Sequence, residues 1–97
     1  MQILFRPQAE ADIADIWAYT DEIWGQQKAA DYLAALEQML QSVAAFPEMA
    51  RLRSDFDPPV RIHPFRKHLI IYQTDGTMLD VIRILHSRSN WAQFLTE

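Results

Sequence analysis

The 97-residue chain has no cysteine and only two glycines. Without cysteine, disulfides, thiolate-bound zinc and thiol catalysis are excluded, and a cytoplasmic home is the default expectation. With two glycines, no Gly-rich phosphate-binding loop can be built. No run of about 18 apolar residues occurs, so no membrane-spanning helix is expected. No basic stretch followed by an apolar block opens the chain, so no secretory signal is expected either. One-sided charge is missing too: the net charge is only -4, and 49% of residues are hydrophobic, which excludes a disordered chain. The length allows one domain, residues 1–97. A core of that size is marginal alone, so help from a partner chain is expected.

The modest net charge conceals a split. Residues 1–50 carry a net -6 and residues 51–97 a net +2. A mildly basic half can approach nucleic acid or an acidic protein, or be an ordinary solvated surface.

Gln2 to Arg6 is a short apolar run closed by Pro7, a strand followed by a helix start. Ala9, Ile13, Ile16, Trp17 and Thr20 then recur at three- and four-residue intervals, one face of a helix. Glu10, Asp12 and Asp15 are expected on its outer face, and Trp17 in the core. Gly25 breaks the pattern. A second helix follows, with Ala29, Tyr32, Leu33, Leu36, Leu40 and Val43 on one stripe, ended by Phe46-Pro47. So short a link predicts an antiparallel helical hairpin over about 8–46. Residues 48–59 read as a loop with a short strand near Leu52. Strands are predicted over 2–6, 60–65, 67–74 and 78–86, the last two joined by Asp75-Gly76, a hairpin signal. Pro64 points to an edge or a bulge. The tail, 87–97, places Trp91, Phe94 and Leu95 at helical spacing and is either a short helix or an extended arm. The order β-α-α-β-β-β predicts an α+β fold, with the helical hairpin packed on one face of a small, largely antiparallel sheet. The other face is expected to be free, where strand arginines and histidines can gather.

These residues resemble a known family. Ala11-Asp12-Ile13-Ala14-Asp15-Ile16-Trp17-Ala18-Tyr19, Trp24-Gly25, Ala29 to Leu36 and Phe46-Pro47 resemble the helical half of the RelE/ParE toxin superfamily. Val60-Arg61, His68-Leu69-Ile70-Ile71-Tyr72 and Val81-Ile82-Arg83-Ile84-Leu85-His86-Ser87-Arg88 resemble the strand pattern of its ParE branch. The likeness covers nearly the whole chain. It implies the toxin half of a bacterial type II toxin–antitoxin pair, with no cofactor. ParE-like members poison DNA gyrase, and RelE-like members cut messenger RNA on the ribosome. The implied partners are a ParD-like antitoxin with a ribbon-helix-helix start, and gyrase. Direct DNA binding is expected only through those complexes.

The candidate chemistry is a basic set: Arg61, His63, Arg66, Lys67, Arg83, His86 and Arg88. Metal-free RNA cleavage needs a base, an acid and cations for the phosphate, and Arg61, Arg83 and His86 could supply them. In nucleases of the related YoeB kind a histidine near the place of His86 is followed by tyrosine. Here Ser87 follows, and no tyrosine lies after Tyr72, so the nuclease set is incomplete. Arg61, Arg66, Lys67, Arg83, His86 and Arg88 are instead candidates for target binding. His86 could equally be a strand-end histidine bonded to backbone. Arg83, inside an apolar strand, could equally pair with Asp80 or a helix carboxylate. Tyr72 is expected in the core. Trp24, Phe56 and Trp91 are candidate exposed anchors for the antitoxin. Trp24 could also staple the helices together. Asp12 and Asp15 read as solvated, and no metal site is predicted.

Overall fold

In the computed structural model, which describes residues 1–95, Pro7 marks the switch from strand to helix. Strand β1 (Gln2–Phe5) ends two residues earlier, and helix α1 runs Pro7–Trp24 with proline in its first turn, where a missing N–H is harmless. Helix α2 (Gln26–Ala45) begins after a single residue. Gly25 makes that possible: its φ of 92° is open to glycine and strained for other residues, its N–H closes α1 on the Asp21 carbonyl, and its own carbonyl accepts from Ala29 in α2. A short turn (Pro47–Met49) leads into β2 (Leu52–Arg53), β3 (Val60–Phe65), β4 (His68–Thr74) and β5 (Met78–His86), and a 3-10 turn spans Trp91–Leu95. The alternatives left open for the tail resolve to this turn. Its last two positions, 96–97, lie outside the described residues.

The sheet order is β1-β5-β4-β3-β2. β1 lies parallel to β5, and every other pair is antiparallel, so the expected fold class stands. Gly76 (φ 93°) forms the β4–β5 turn, and the Asp75 carboxylate accepts from the Thr77 amide and hydroxyl and from the Met78 amide. These bonds hold the Asp75 carboxyl below its ordinary value. β2 pairs only with Val60 and Arg61, so β3 is an edge beyond them, and Pro64 sits exposed on that edge as expected.

The main core lies between the helices and the sheet, built on Ile16, Leu36, Val43, Ile70, Tyr72 and Val81. The opposite face of the sheet is not free, a correction to the expected one-sided arrangement. Phe56, Val60, Ile71 and Leu85 are buried there, with Trp91 and Leu95 packed against them. The cause is visible in β4: Ile70, Ile71 and Tyr72 are three successive apolar residues, so both faces need cover. Phe56 is therefore a core residue and not an exposed anchor; Trp91 is half-buried with its ring 6.0 Å from that of Phe56.

Two readings of α1 are also corrected. Trp17 is half-buried rather than in the core, and Asp12 is buried rather than solvated. Ala9, Asp12 and Ile16 stand three and four apart, so Asp12 lies on the buried line itself.

Candidate functional site

Asp12 is tolerable inside because a cation meets it. Its carboxylate accepts from Arg83 Nε at 2.8 Å and Nη2 at 2.9 Å, and from the Ile84 amide at 2.9 Å. Of the two partners open in the sequence, the helix carboxylate is realised. Asp80 pairs with Arg6 instead. The Arg83 guanidinium also lies 5.1 Å from the Phe94 ring, so it links α1, β5 and the C-terminal turn.

The other candidates separate into places. Arg61 donates to the Ala50 carbonyl at 2.6 Å, clamping the segment that follows α2. Tyr72, opposite it in register, is fully buried and donates to the Pro47 carbonyl at 2.6 Å. Burial pushes the Tyr72 hydroxyl up, opposed by Arg61. In register on β4, Arg61 faces Tyr72 and His86 faces His68, about 13 Å apart along the strand. The structure therefore does not gather Arg61 with Arg83 and His86. His63 is half-buried, and its Nδ1 is sealed from solvent without a hydrogen-bond partner.

Arg66, Lys67 and His86 do come together. Arg66 holds φ 53° in the β3–β4 turn, and its guanidinium covers Phe65 at 5.2 Å and Tyr32 at 5.4 Å. Lys67 is exposed beside it, its carbonyl accepting from the Ser87 amide. His86 Nδ1 accepts from the Arg88 backbone amide at 3.1 Å, the strand-end arrangement considered from sequence. Arg88 itself is exposed.

Two residues that sequence reasoning did not select complete this cluster. The His68 ring packs edge-on to His86, with centroids 5.3 Å apart, and Tyr32 from α2 bonds His68 Nδ1 at 2.6 Å. Burial pushes the His68 imidazole below its ordinary value, with His86 adding to the effect and Asp12 opposing it. Burial pushes the Tyr32 phenol up, opposed by the Arg66 charge and by the nearby Lys67 backbone. The cluster forms one end of an open groove of 670 Å³. The opposite rim is the outer half of α1, where Tyr19, Ile23 and Trp24 are 65, 52 and 67% exposed. A second groove, of 500 Å³, runs between the helical hairpin and β1, lined by Ile3, Phe5, Ile13, Leu33, Leu36 and Leu40.

Among the described residues, no group of three or more His, Asp or Glu could hold a metal ion, and no helix is long and apolar enough to cross a membrane. The cluster sets two imidazoles beside two cations, an arrangement suited to hydrogen-bond donation and anion binding.

Residues 3–91 match the family described as ParE toxin of type II toxin-antitoxin system, parDE. The chain is 33% identical over 86 residues to Toxin ParE1 of Mycobacterium tuberculosis, covering 88% of each protein. It is 31% identical over 83 residues to Toxin ParE1 of Caulobacter vibrioides, covering 86% of this chain and 85% of that protein. In structure it resembles a chain of the chromosomal ParDE TA system from P. aeruginosa, with a TM-score of 0.75 at 17% identity over 89% of this chain and 95% of that one; this likeness concerns the fold alone.

Proposed function

This chain belongs to the ParE toxin family of type II toxin–antitoxin systems, and from that membership we propose that it acts in the cytoplasm as an inhibitor of DNA gyrase, and so of DNA replication, neutralised by a ParD-like antitoxin of the ribbon-helix-helix type. The family match over residues 3–91 carries the reading. The distance between Arg61 and His86, and the engagement of Arg83 by Asp12, speak against the RelE-like alternative that would use those three residues together on ribosome-bound message. Arg66, Lys67, His86 and Arg88 keep exposed positions and are the contacts proposed for the target.

For the antitoxin we propose the groove between the hairpin and β1. Its walls are apolar, and β1 pairs only with β5, so one side of β1 offers unpaired backbone groups to an added segment. Trp24, far exposed at the hairpin tip, and Trp91 are further contacts to probe.

Purified gyrase with supercoiled plasmid, run beside translating ribosomes with labelled message, tests the reading. Trapped cleaved plasmid with intact message is expected. Message cut on the ribosome with gyrase unaffected moves the assignment to the nuclease. Neither effect leaves a family member that acts only by interaction.

A further inference from the structure

We propose that His68 and His86, with Arg66 and Lys67, form an oxyanion site that takes the phosphodiester of a single nucleic-acid strand. The inference goes beyond the gyrase reading and does not depend on it.

The argument starts from where the imidazole protons sit. The Tyr32 hydroxyl lies 2.6 Å from His68 Nδ1, and in the arrangement where the phenol donates, that nitrogen accepts. His86 Nδ1 accepts from the Arg88 backbone amide, which can only donate. In that arrangement both Nδ1 atoms are acceptors. In each neutral ring the proton is on Nε2. Neither Nε2 makes a protein hydrogen bond within the described residues, and neither is sealed from solvent. Two N–H donors on directly opposed residues of adjacent strands, with ring centroids 5.3 Å apart, can be bridged by two oxygens of one phosphate. Arg66 and Lys67 in the neighbouring turn supply the positive charge, and the one buried carboxylate nearby, Asp12, is already held by Arg83.

The rest of the groove selects the bearer of that phosphate. Tyr19, Trp24 and Phe94 line it with exposed rings, and stacking on aromatic faces beside a cationic track is how single strands are held. The acidic α1 rim, with Asp15 in the groove and Asp21 and Glu22 exposed near it, repels the second backbone of a duplex. An isolated carboxylate would use the imidazoles and leave the aromatic wall idle.

The test titrates the intact protein with inorganic phosphate and, separately, with a short oligothymidylate at low salt, following the imidazole nitrogens by NMR. Both ring signals are expected to move with either probe, and the oligonucleotide to bind more tightly. His86→Ala, at an exposed position, should weaken both probes roughly tenfold, the worth of one hydrogen bond to a charged group. Trp24→Ala should weaken only the oligonucleotide. Circular dichroism of each variant checks the fold. The proposal is overturned if neither probe moves the rings, if His86→Ala binds as wild type does, or if the oligonucleotide binds no better than phosphate.

Discussion

Asp12 and Arg83, 71 residues apart in the chain, meet through two parallel hydrogen bonds at side-chain exposures of only 10 and 15%. A charge pair this dry holds only because its geometry is bidentate and a third donor, the Ile84 amide, fills the carboxylate. It ties α1 to β5 at a level where β1, which pairs only with residues up to Val81, no longer intervenes.

Breaking this pair from either side should be costly. Asp12→Ala and Arg83→Ala each strand one buried charge, and a loss of about 3–5 kcal/mol is expected from urea unfolding. Replacing both together, as Asp12→Leu with Arg83→Met, should lose clearly less than the two single losses combined. Simple additivity would show that the pair is not coupled.

Stability should also report the His68 environment. Its folded value lies below the ordinary 6.5, chiefly through burial. Between the two values the unfolded chain binds the extra proton, so this contribution is complete above about pH 6.5 and is lost as pH falls through the folded value. The melting temperature should drop on going from pH 7 to pH 5, and His68→Gln should flatten that part of the curve. An unchanged slope in the variant would place the proton uptake elsewhere.

Two of the three aromatics grouped as anchors, Phe56 and Trp24, should behave in opposite ways. Phe56→Ala opens the core under the sheet's second face and should cost about 3–5 kcal/mol. Trp24→Ala, at 67% exposure, should stay within about 0.5 kcal/mol of wild type. Chemical denaturation of both variants decides it.

Antitoxin binding can be checked through the groove beside β1. Co-expression with its antitoxin should yield a complex that melts well above the free protein, because a ligand that binds only the folded state stabilises it. Leu33→Gln, in the groove wall, should weaken that complex tenfold or more in calorimetry while the free protein keeps its fold. Wild-type affinity in the variant would move the antitoxin to another surface.

Periodicity made the hairpin and the strands legible to within a residue or so, because each stripe is long and each break is marked by Gly25, Phe46-Pro47 or Asp75-Gly76. Arg66, Lys67 and His86 stand out as basic candidates in the sequence, but that His68 joins them is not legible there, and one residue explains why. From the β4–β5 turn outward Thr74 pairs with Leu79, a register that would set His68 against Leu85. Between Tyr72↔Val81 and Ile71↔Arg83, however, Ile82 is an extra residue, a bulge that shifts the pairing so that His68 faces His86. The same bulge lets Val81 and Ile84 share the helix-facing core. Nothing in the local sequence marks it. Asp12 was misread for a related reason: a carboxylate on a buried line looks solvated until its distant cation is known.

The parallel placement of β1 beside β5 bears on how the molecule comes into being. The first strand made can pair only with the last, and Asp12 waits for Arg83 over 71 residues of synthesis, roughly 4–14 s at typical bacterial to eukaryotic elongation rates. Contacts this distant in the chain also form slowly once all the residues exist. A nascent toxin therefore cannot assemble its charged tie, or the imidazole pair at the end of β5, before almost the whole message has been read. A truncated translation product ending before β5 should lack both.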